Sequence, residues 1–172
     1  SVLRLLETAS YEGAIRFAGE DVLAKSERQM EAMRGRDIAM IFQDPLSSLN
    51  PVVPVGLQVT EVLERHRGMS RRAAQPVARD LLKRVGIPDP DRRLKDYPHQ
   101  MSGGMRQRAL IAMALACAPR LLIADEPTTA LDVTVQAQIL DLLAAQQTER
   151  HMAMVLITHD LAAVAEISDR II

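Results

Sequence analysis

The sequence has few aromatic residues, which make up 2% of its 172 residues and include no tryptophan. Because 48% of the residues are nevertheless hydrophobic, the core has to be built from Leu, Ile, Val, Ala and Met. A single cysteine, Cys117, excludes a disulfide scaffold and favours a reducing compartment. It lies in the apolar run LIAMALACA, so we expect a buried, unreactive thiol rather than a nucleophile or a metal ligand.

Long hydrophobic runs and an excess of charge of one sign are also absent. The longest apolar stretches, such as 109–118, are shorter than the roughly 20 residues that a membrane-spanning helix needs, and no signal peptide is visible. Charged residues make up 25% of the chain and the formal net charge is −1. We therefore expect a soluble chain about the size of one domain, with no general affinity for nucleic acid or an anionic membrane.

A phosphate-binding loop of the form G-x-x-x-x-G-K-[ST] is missing, yet the sequence has another turn suited to anions. Residues 101–108 read MSGGMRQR, a Ser-Gly-Gly turn that opens a helix, where exposed amides and the positive helix end attract phosphate. The chain begins with Ser1, and SVLRLLE has the pattern of the inside of a helix. Because DRII at the other end resembles the start of a strand, we interpret the sequence as incomplete at both ends.

The rest of the pattern alternates short apolar segments with longer amphipathic ones. It predicts strands at 14–22, 37–43, 120–125 and 152–158, and helices at 69–86, 102–118, about 134–149 and about 161–167. Two apolar strands that end in Asp125 and Thr158, each followed by a helix, indicate a βαβ unit in a covered parallel sheet. The segment 46–100 holds six of the nine prolines and no clear buried strand, which suggests an inserted helical subdomain.

Polar residues follow several of the predicted strands. In LLIADEP, Asp125 and Glu126 come to the carboxyl edge of a buried strand, where open α/β sheets bind ligands; a helix cap is the alternative. His159 ends LITHD and can donate to a phosphate, or it can be a structural or solvated histidine. Gln43 ends IAMIFQ and can ligate Mg²⁺ or orient water, or it can be an ordinary turn residue.

Four sequence segments, taken in their order along the chain, resemble the motifs of a known family. IFQDPLSSLNP, MSGGMRQR, LLIADEPTTALD and LITHD resemble the Q-loop, the signature motif, the Walker B motif with its D-loop, and the switch histidine of ABC-type ATPases. The resemblance implies an α/β, RecA-like P-loop NTPase core at 1–45 and 119–172, with a helical subdomain at 46–118 that includes the signature motif. The residues around these motifs are similar to those of the ATP-binding subunits of bacterial oligopeptide and dipeptide importers, a group that includes nickel, glutathione and microcin-C type relatives.

The resemblance also implies a role for each residue. Asp125 would hold Mg²⁺ through water, and Glu126 would be the base that activates or orients the attacking water. His159 would contact the γ-phosphate of ATP, while Gln43 would sense Mg²⁺ and the lytic water. Four residues would act across a dimer interface. Ser102, Gly103 and Gly104 of the signature turn would bind the γ-phosphate of ATP held by the opposite subunit. The D-loop carboxylate Asp132 would help to couple the two sites.

The implied partners are a second ABC subunit or cassette, transmembrane permease subunits and, indirectly, a solute-binding protein, at the cytoplasmic face of the bacterial inner membrane. Nucleic acid is not implied. Two signature residues, Met101 and Met105, replace the usual Leu and Gln. The Gly-Lys-Ser/Thr loop and the aromatic residue that would stack on adenine are missing. We therefore expect the chain by itself to bind ATP poorly and not to hydrolyse it, although it can complement a partner's site.

Other classes of ABC-type ATPase stay open from the sequence. In chromosome and break-repair proteins, hundreds of coiled-coil residues separate the Q-loop from the signature, whereas Gln43 and Ser102 are 59 positions apart here. Ribosome-associated cassettes fit the spacing between Gln43 and Ser102, and only the importer-like residues around the motifs argue against them. A degenerate cassette that serves only in docking or dimerisation is the third interpretation.

Overall fold

The fold contains both strands and helices, in the order expected for an α/β protein. The computed structural model describes residues 2–5, 13–44, 48–129, 131–160 and 167–171. Within these ranges the elements are β1 (Arg16–Phe17), β2 (Glu20–Asp21), α1 (Glu27–Met33), β3 (Ile38–Ile41), α2 (Val55–Arg67), α3 (Arg71–Arg84), α4 (Pro90–Arg93), a 3-10 turn (Pro98–Gln100), α5 (Gly103–Leu115), β4 (Leu121–Asp125), α6 (Val133–Arg150) and β5 (Ala153–Ile157).

A parallel sheet holds the three main strands in the order β3-β4-β5. Ile41 lies opposite Ala124, and Asp125 lies opposite Ile157, so the strands end almost level with one another. The central strand β4 is apolar and its middle residues are buried, as expected for a strand covered on both faces. The sheet and the β4-α6-β5 crossover confirm the predicted βαβ unit, and they bring the carboxyl ends of three strands to one edge.

The chain segment between β3 and β4 contains helices α2, α3 and α5, and these three helices pack against one another. Helix α2 ends at Gly68, whose φ of 63° is the left-handed conformation that stops a helix. Helix α3 begins at once, because the Ser70 hydroxyl accepts a hydrogen bond from the backbone N–H of Ala73. Pro76 lies inside α3 without ending it, which confirms the predicted helix there.

One hydrophobic cluster joins these helices to the sheet and to α6. Its largest fully buried members are aliphatic, as the shortage of aromatic residues requires: Ile41, Leu63, Leu82, Ile111, Leu115, Leu122, Ile139 and Leu143. Helices and sheet therefore share a core, and the boundaries at 46 and 118 stay a prediction. Within the described ranges, no helix is long and apolar enough to cross a membrane.

Two predictions for the amino-terminal part are wrong. The described residues 2–5 are not helical; the carbonyls of Leu3 and Arg4 accept hydrogen bonds from the Arg34 side chain, at 2.9 Å and 3.1 Å, instead of from a helix. The segment 14–22 is a hairpin rather than one strand, because Ala18 and Gly19 both have positive φ and reverse the chain between β1 and β2.

Other differences are smaller. Helix α1 was not predicted, although Ser26 and Gln29 form a capping box at its start. Cys117 is half-buried rather than buried. The final segment 168–171 contains no strand. Most of the helix predicted near 161–167 lies outside the described residues.

Candidate active site

The ends of the three parallel strands carry the polar residues that the sequence singled out. Gln43 follows β3 by two residues, Asp125 is the last residue of β4 with Glu126 next to it, and His159 follows β5 by two residues. Because the strands are parallel and end level, these residues lie at the same edge of the sheet. The edge is the place where open α/β sheets bind ligands.

The carboxylate of Glu126 connects three of these segments. Gln43 donates from Nε2 to Glu126 Oε2 at 2.7 Å, across 83 positions of sequence. His159 Nδ1 lies 3.2 Å from Glu126 Oε1. A carboxylate only accepts hydrogen bonds when ionised, so Nδ1 carries the hydrogen in this contact. The structure thus brings Gln43, Glu126 and His159 into one hydrogen-bonded cluster.

A fourth member of the cluster, Thr129, was missed by sequence reasoning. Its hydroxyl donates to Glu126 Oε2 at 2.8 Å. The hydrogen bonds from Thr129 and His159, with a smaller contribution from Gln43, hold the pKa of Glu126 below its ordinary value. The carboxylate is therefore ionised at neutral pH. The signal in the sequence was a hydroxyl residue three positions after Glu126, within reach of it across a turn.

The backbone of Glu126 is held in an unusual conformation. Its φ is 46°, in the left-handed region that residues other than glycine adopt only where neighbours hold them. Its N–H donates to the Ile157 carbonyl at 2.8 Å, and its carbonyl accepts from the N–H of Thr129 at 3.2 Å. With these contacts, the chain leaves the strand direction directly after Asp125, at Glu126.

A third carboxylate, Asp132, rather than Asp125 or Glu126, caps the helix that follows β4. Asp132 caps α6, and its side chain accepts a hydrogen bond from the backbone N–H of Val135 at 3.0 Å. Asp125 and Glu126 precede that cap by several residues and belong to the strand end. Asp132 therefore has a structural role as the cap of α6.

Asp125 and Gln43 offer the oxygen ligands that Mg²⁺ prefers. Asp125 is half-buried at the strand end, and the hydrogen bond from Gln43 uses its nitrogen, so the amide oxygen takes no part in that contact. The described residues contain no group of three or more His, Cys, Asp or Glu that could hold a metal ion. Asp125 and Gln43 each offer an oxygen, and Mg²⁺ is commonly held by one or two protein groups together with water and phosphate oxygens.

The signature turn lies at the start of α5. Ser102 caps this helix of 13 residues by accepting a hydrogen bond from the N–H of Met105 at 3.3 Å. Gly103 and Gly104 form the first helical positions, where backbone N–H groups have no partner within the helix. A Cβ at Gly104 would lie 2.8 Å from Val135 Cγ1, so the turn packs closely against the beginning of α6.

His159 is an exposed member of the cluster, as Gln43 is. Its side chain is 77% accessible, and it lines a polar cleft of about 250 Å³. The cleft is surrounded by hydroxyl, amide and acidic side chains that follow β4 and β5: Thr128, Thr129, Gln136, Thr158 and Asp160. The imidazole can therefore reach a group that approaches the sheet edge from solvent.

A family model described as ABC transporter matches residues 1–129 of the chain. The dipeptide transport ATP-binding protein DppD of Bacillus subtilis is 55% identical over 160 residues, covering 93% of this chain and 48% of that protein. The oligopeptide transport ATP-binding protein OppD of the same organism is 55% identical, covering 92% of this chain and 44% of its own length. DppD of Escherichia coli is 52% identical, covering all of this chain and 54% of its own.

Solved structures give the same likeness at the level of the fold. The ATP-binding cassette MJ0796, in a dimeric post-hydrolysis state bound to ADP and Pi, matches with a TM-score of 0.77 and 30% identity, over 88% of this chain and 65% of that one. A second dimeric structure of MJ0796, described as a bacterial ABC transporter cassette, has a TM-score of 0.78 and 29% identity, over 90% and 66%. The chain spans about half the length of the curated relatives it matches.

Proposed function

The chain belongs to the ABC transporter family, and on that premise we propose that it is part of an ATP-hydrolysing subunit that drives peptide import across the bacterial inner membrane. The relatives named as dipeptide and oligopeptide transport ATP-binding proteins support the substrate class. The observation that carries the hydrolytic role is the contact of Gln43 and His159 with Glu126 at the sheet edge.

Glu126 is the group we propose to orient the attacking water. Its lowered pKa keeps the carboxylate ionised, so it accepts a hydrogen bond from water at neutral pH. Phosphoryl transfer depends mainly on positioned charge rather than on covalent help from the protein. An ionised carboxylate held in a fixed place therefore supplies what the attacking water needs.

His159 is proposed to contact the γ-phosphate. While Nδ1 donates to Glu126, the other nitrogen of a neutral ring is only an acceptor. Donation from Nε2 to a phosphate therefore requires either the doubly protonated ring or the loss of the contact with Glu126. In both cases the arrival of a phosphate at His159 changes the surroundings of Glu126.

Asp125 and the amide oxygen of Gln43 are proposed to hold Mg²⁺. When bound, Mg²⁺ neutralises negative charge on the phosphates of ATP. Because the nitrogen of Gln43 already contacts Glu126, the same side chain would link the metal site to the water-orienting carboxylate. In the sequence, Gln43 lies in the connection between β3 of the sheet and helix α2 of the helical part.

The signature turn is proposed to bind ATP that is held by a second ABC subunit. Ser102, Gly103 and Gly104 present the free amides of a helix start, which suits a phosphate. Both MJ0796 structures are described as dimeric, which supports an arrangement in which two subunits share each nucleotide. Asp132 would then couple the two sites across the interface.

The helical part at 46–118 is proposed to contact permease subunits, with the sheet and its flanking helices, at 1–45 and 119–172, forming the ATPase core. A solute-binding protein would supply the peptide on the other side of the membrane. The relatives' names, which describe transport ATP-binding proteins, support a role in such a transporter. The subunit would therefore work at the cytoplasmic face of the membrane.

Glu126→Gln in the full-length protein tests this function. The substitution keeps the shape of the side chain and removes its charge, so we expect hydrolysis to fall at least a hundredfold while ATP still binds and the closed dimer lasts longer. Steady-state phosphate release, nucleotide binding and size-exclusion chromatography measure the three quantities.

The matched control is Glu149→Gln, which removes an exposed partner of Arg84. An exposed ion pair contributes little to stability, so this variant should hydrolyse ATP like the unchanged protein. Normal hydrolysis by the Glu126→Gln protein would show that the water-orienting group is a different one.

A further inference from the structure

The two oxygens of the Glu126 carboxylate have different surroundings. Oε2 accepts two hydrogen bonds, from Thr129 Oγ1 at 2.8 Å and from Gln43 Nε2 at 2.7 Å. Oε1 has His159 Nδ1 at 3.2 Å. Because a carboxylate oxygen has two lone pairs, both acceptor positions of Oε2 are occupied. Oε1 is therefore the oxygen that can accept a hydrogen bond from a water.

The three donors differ in how firmly they are attached to Glu126. Gln43 follows a different strand, 83 positions away from Glu126, and His159 is an exposed side chain whose contact depends on its tautomer. Thr129 lies three residues from Glu126 in the same turn, and its backbone N–H donates to the Glu126 carbonyl at 3.2 Å. Because Thr129 is tied to Glu126 by both its hydroxyl and its backbone N–H, we expect its contact with the carboxylate to depend least on the positions of other strands.

We infer that Thr129 is a positioning residue for ATP hydrolysis, which ties down Oε2 of Glu126 so that Oε1 faces the attacking water. The inference rests on the proposed function of Glu126. Thr129 does not touch the nucleotide in this role; it acts through the carboxylate. The hydroxyl is the essential group, whereas the methyl group of the side chain could be lost.

Thr129→Val and Thr129→Ser in the full-length protein separate the hydroxyl from the shape of the side chain. For Thr129→Val we expect kcat to fall about tenfold, the size of one lost hydrogen bond to a charged group, with KM for ATP within twofold. Thr129→Ser keeps the donor and should stay within about threefold of the unchanged kcat. The matched control is Thr148→Val, whose hydroxyl donates to Ala144 on the exposed side of α6, and it should have normal kcat.

A merely structural role for Thr129 predicts a different pattern. In that case Thr129→Val would lower the thermal midpoint and raise KM, and the serine variant would not restore kcat. Either normal kcat in Thr129→Val or an equal loss in Thr129→Ser overturns the inference. Should Thr129→Val fail to fold, as judged by circular dichroism, Thr129→Ala also removes the hydroxyl and carries the same expectation.

The failure of this inference can be distinguished from the failure of the proposed function. In a Glu126→Gln background, Thr129→Val should lower the residual rate no further, because the carboxylate that it positions is gone. An inactive Glu126→Gln protein beside a fully active Thr129→Val protein refutes the role of Thr129 alone. Normal hydrolysis by Glu126→Gln refutes both.

Discussion

Gly104 is the position where the contact between the signature turn and α6 can be tested by one methyl group. A Cβ there would lie 2.8 Å from Val135 Cγ1, closer than Cβ atoms approach other atoms in proteins. Val135 is β-branched and has few rotamers with which to move away. The neighbouring Gly103 is different, because its Cβ would meet Leu131 Cδ2 at 3.5 Å, an ordinary contact.

The structure gives the size of the expected effect of Gly104→Ala. Forcing an extra methyl group into a packed contact costs about 1–3 kcal/mol, and the higher helix propensity of alanine returns about 0.5–1 kcal/mol. The net fall in the free energy of unfolding lies between about 0 and 2.5 kcal/mol, and we expect about 1 kcal/mol. Gly103→Ala lacks the close contact and should leave stability unchanged or slightly raised.

Urea unfolding without nucleotide, followed by circular dichroism, measures this effect separately from any contact with ATP. The expected loss corresponds to a fall of about 0.5 M in the urea midpoint. Val135→Ala removes the group that the new methyl would meet, so Gly104→Ala should destabilise the protein much less in that background. Equal stability of Gly104→Ala and Gly103→Ala, or an undiminished loss in the double variant, would refute the packing of the signature turn on Val135.

Two further predictions concern Asp132 and Cys117. Asp132→Ala should lower the free energy of unfolding by about 1 kcal/mol in urea titrations because α6 loses its cap, whereas Asp132→Asn should keep the cap; equal losses would contradict the capping role. Burial raises the pKa of the Cys117 thiol, against an opposing effect of Arg67, so the thiolate fraction is small at neutral pH and grows as pH rises. Labelling by a disulfide reagent should thus be slower in the native protein than in the denatured one at pH 7.5; equal rates would contradict this.

Hydrophobic pattern was enough to predict the elements that determine the position of the site. Strands β3, β4 and β5 are short apolar runs bounded by polar residues, and α3, α5 and α6 have clear periodicity or caps. Local turn chemistry was harder. The hairpin at Ala18-Gly19 lacks the Asn-Gly or Asp-Gly signal that marks such turns, and the segment 2–5 is held by Arg34, which lies about thirty positions away.

The contacts within the site could not be predicted, because they depend on the order of the strands in the sheet. Gln43 could be placed at the end of β3 from the sequence, but its hydrogen bond to Glu126 requires β3 to lie directly beside β4, and His159 requires β5 on the other side. A sheet with β5 at another position would have the same sequence motifs and a carboxylate without His159. The central place of β4 is therefore what makes Glu126 the residue on which both neighbouring strand ends converge.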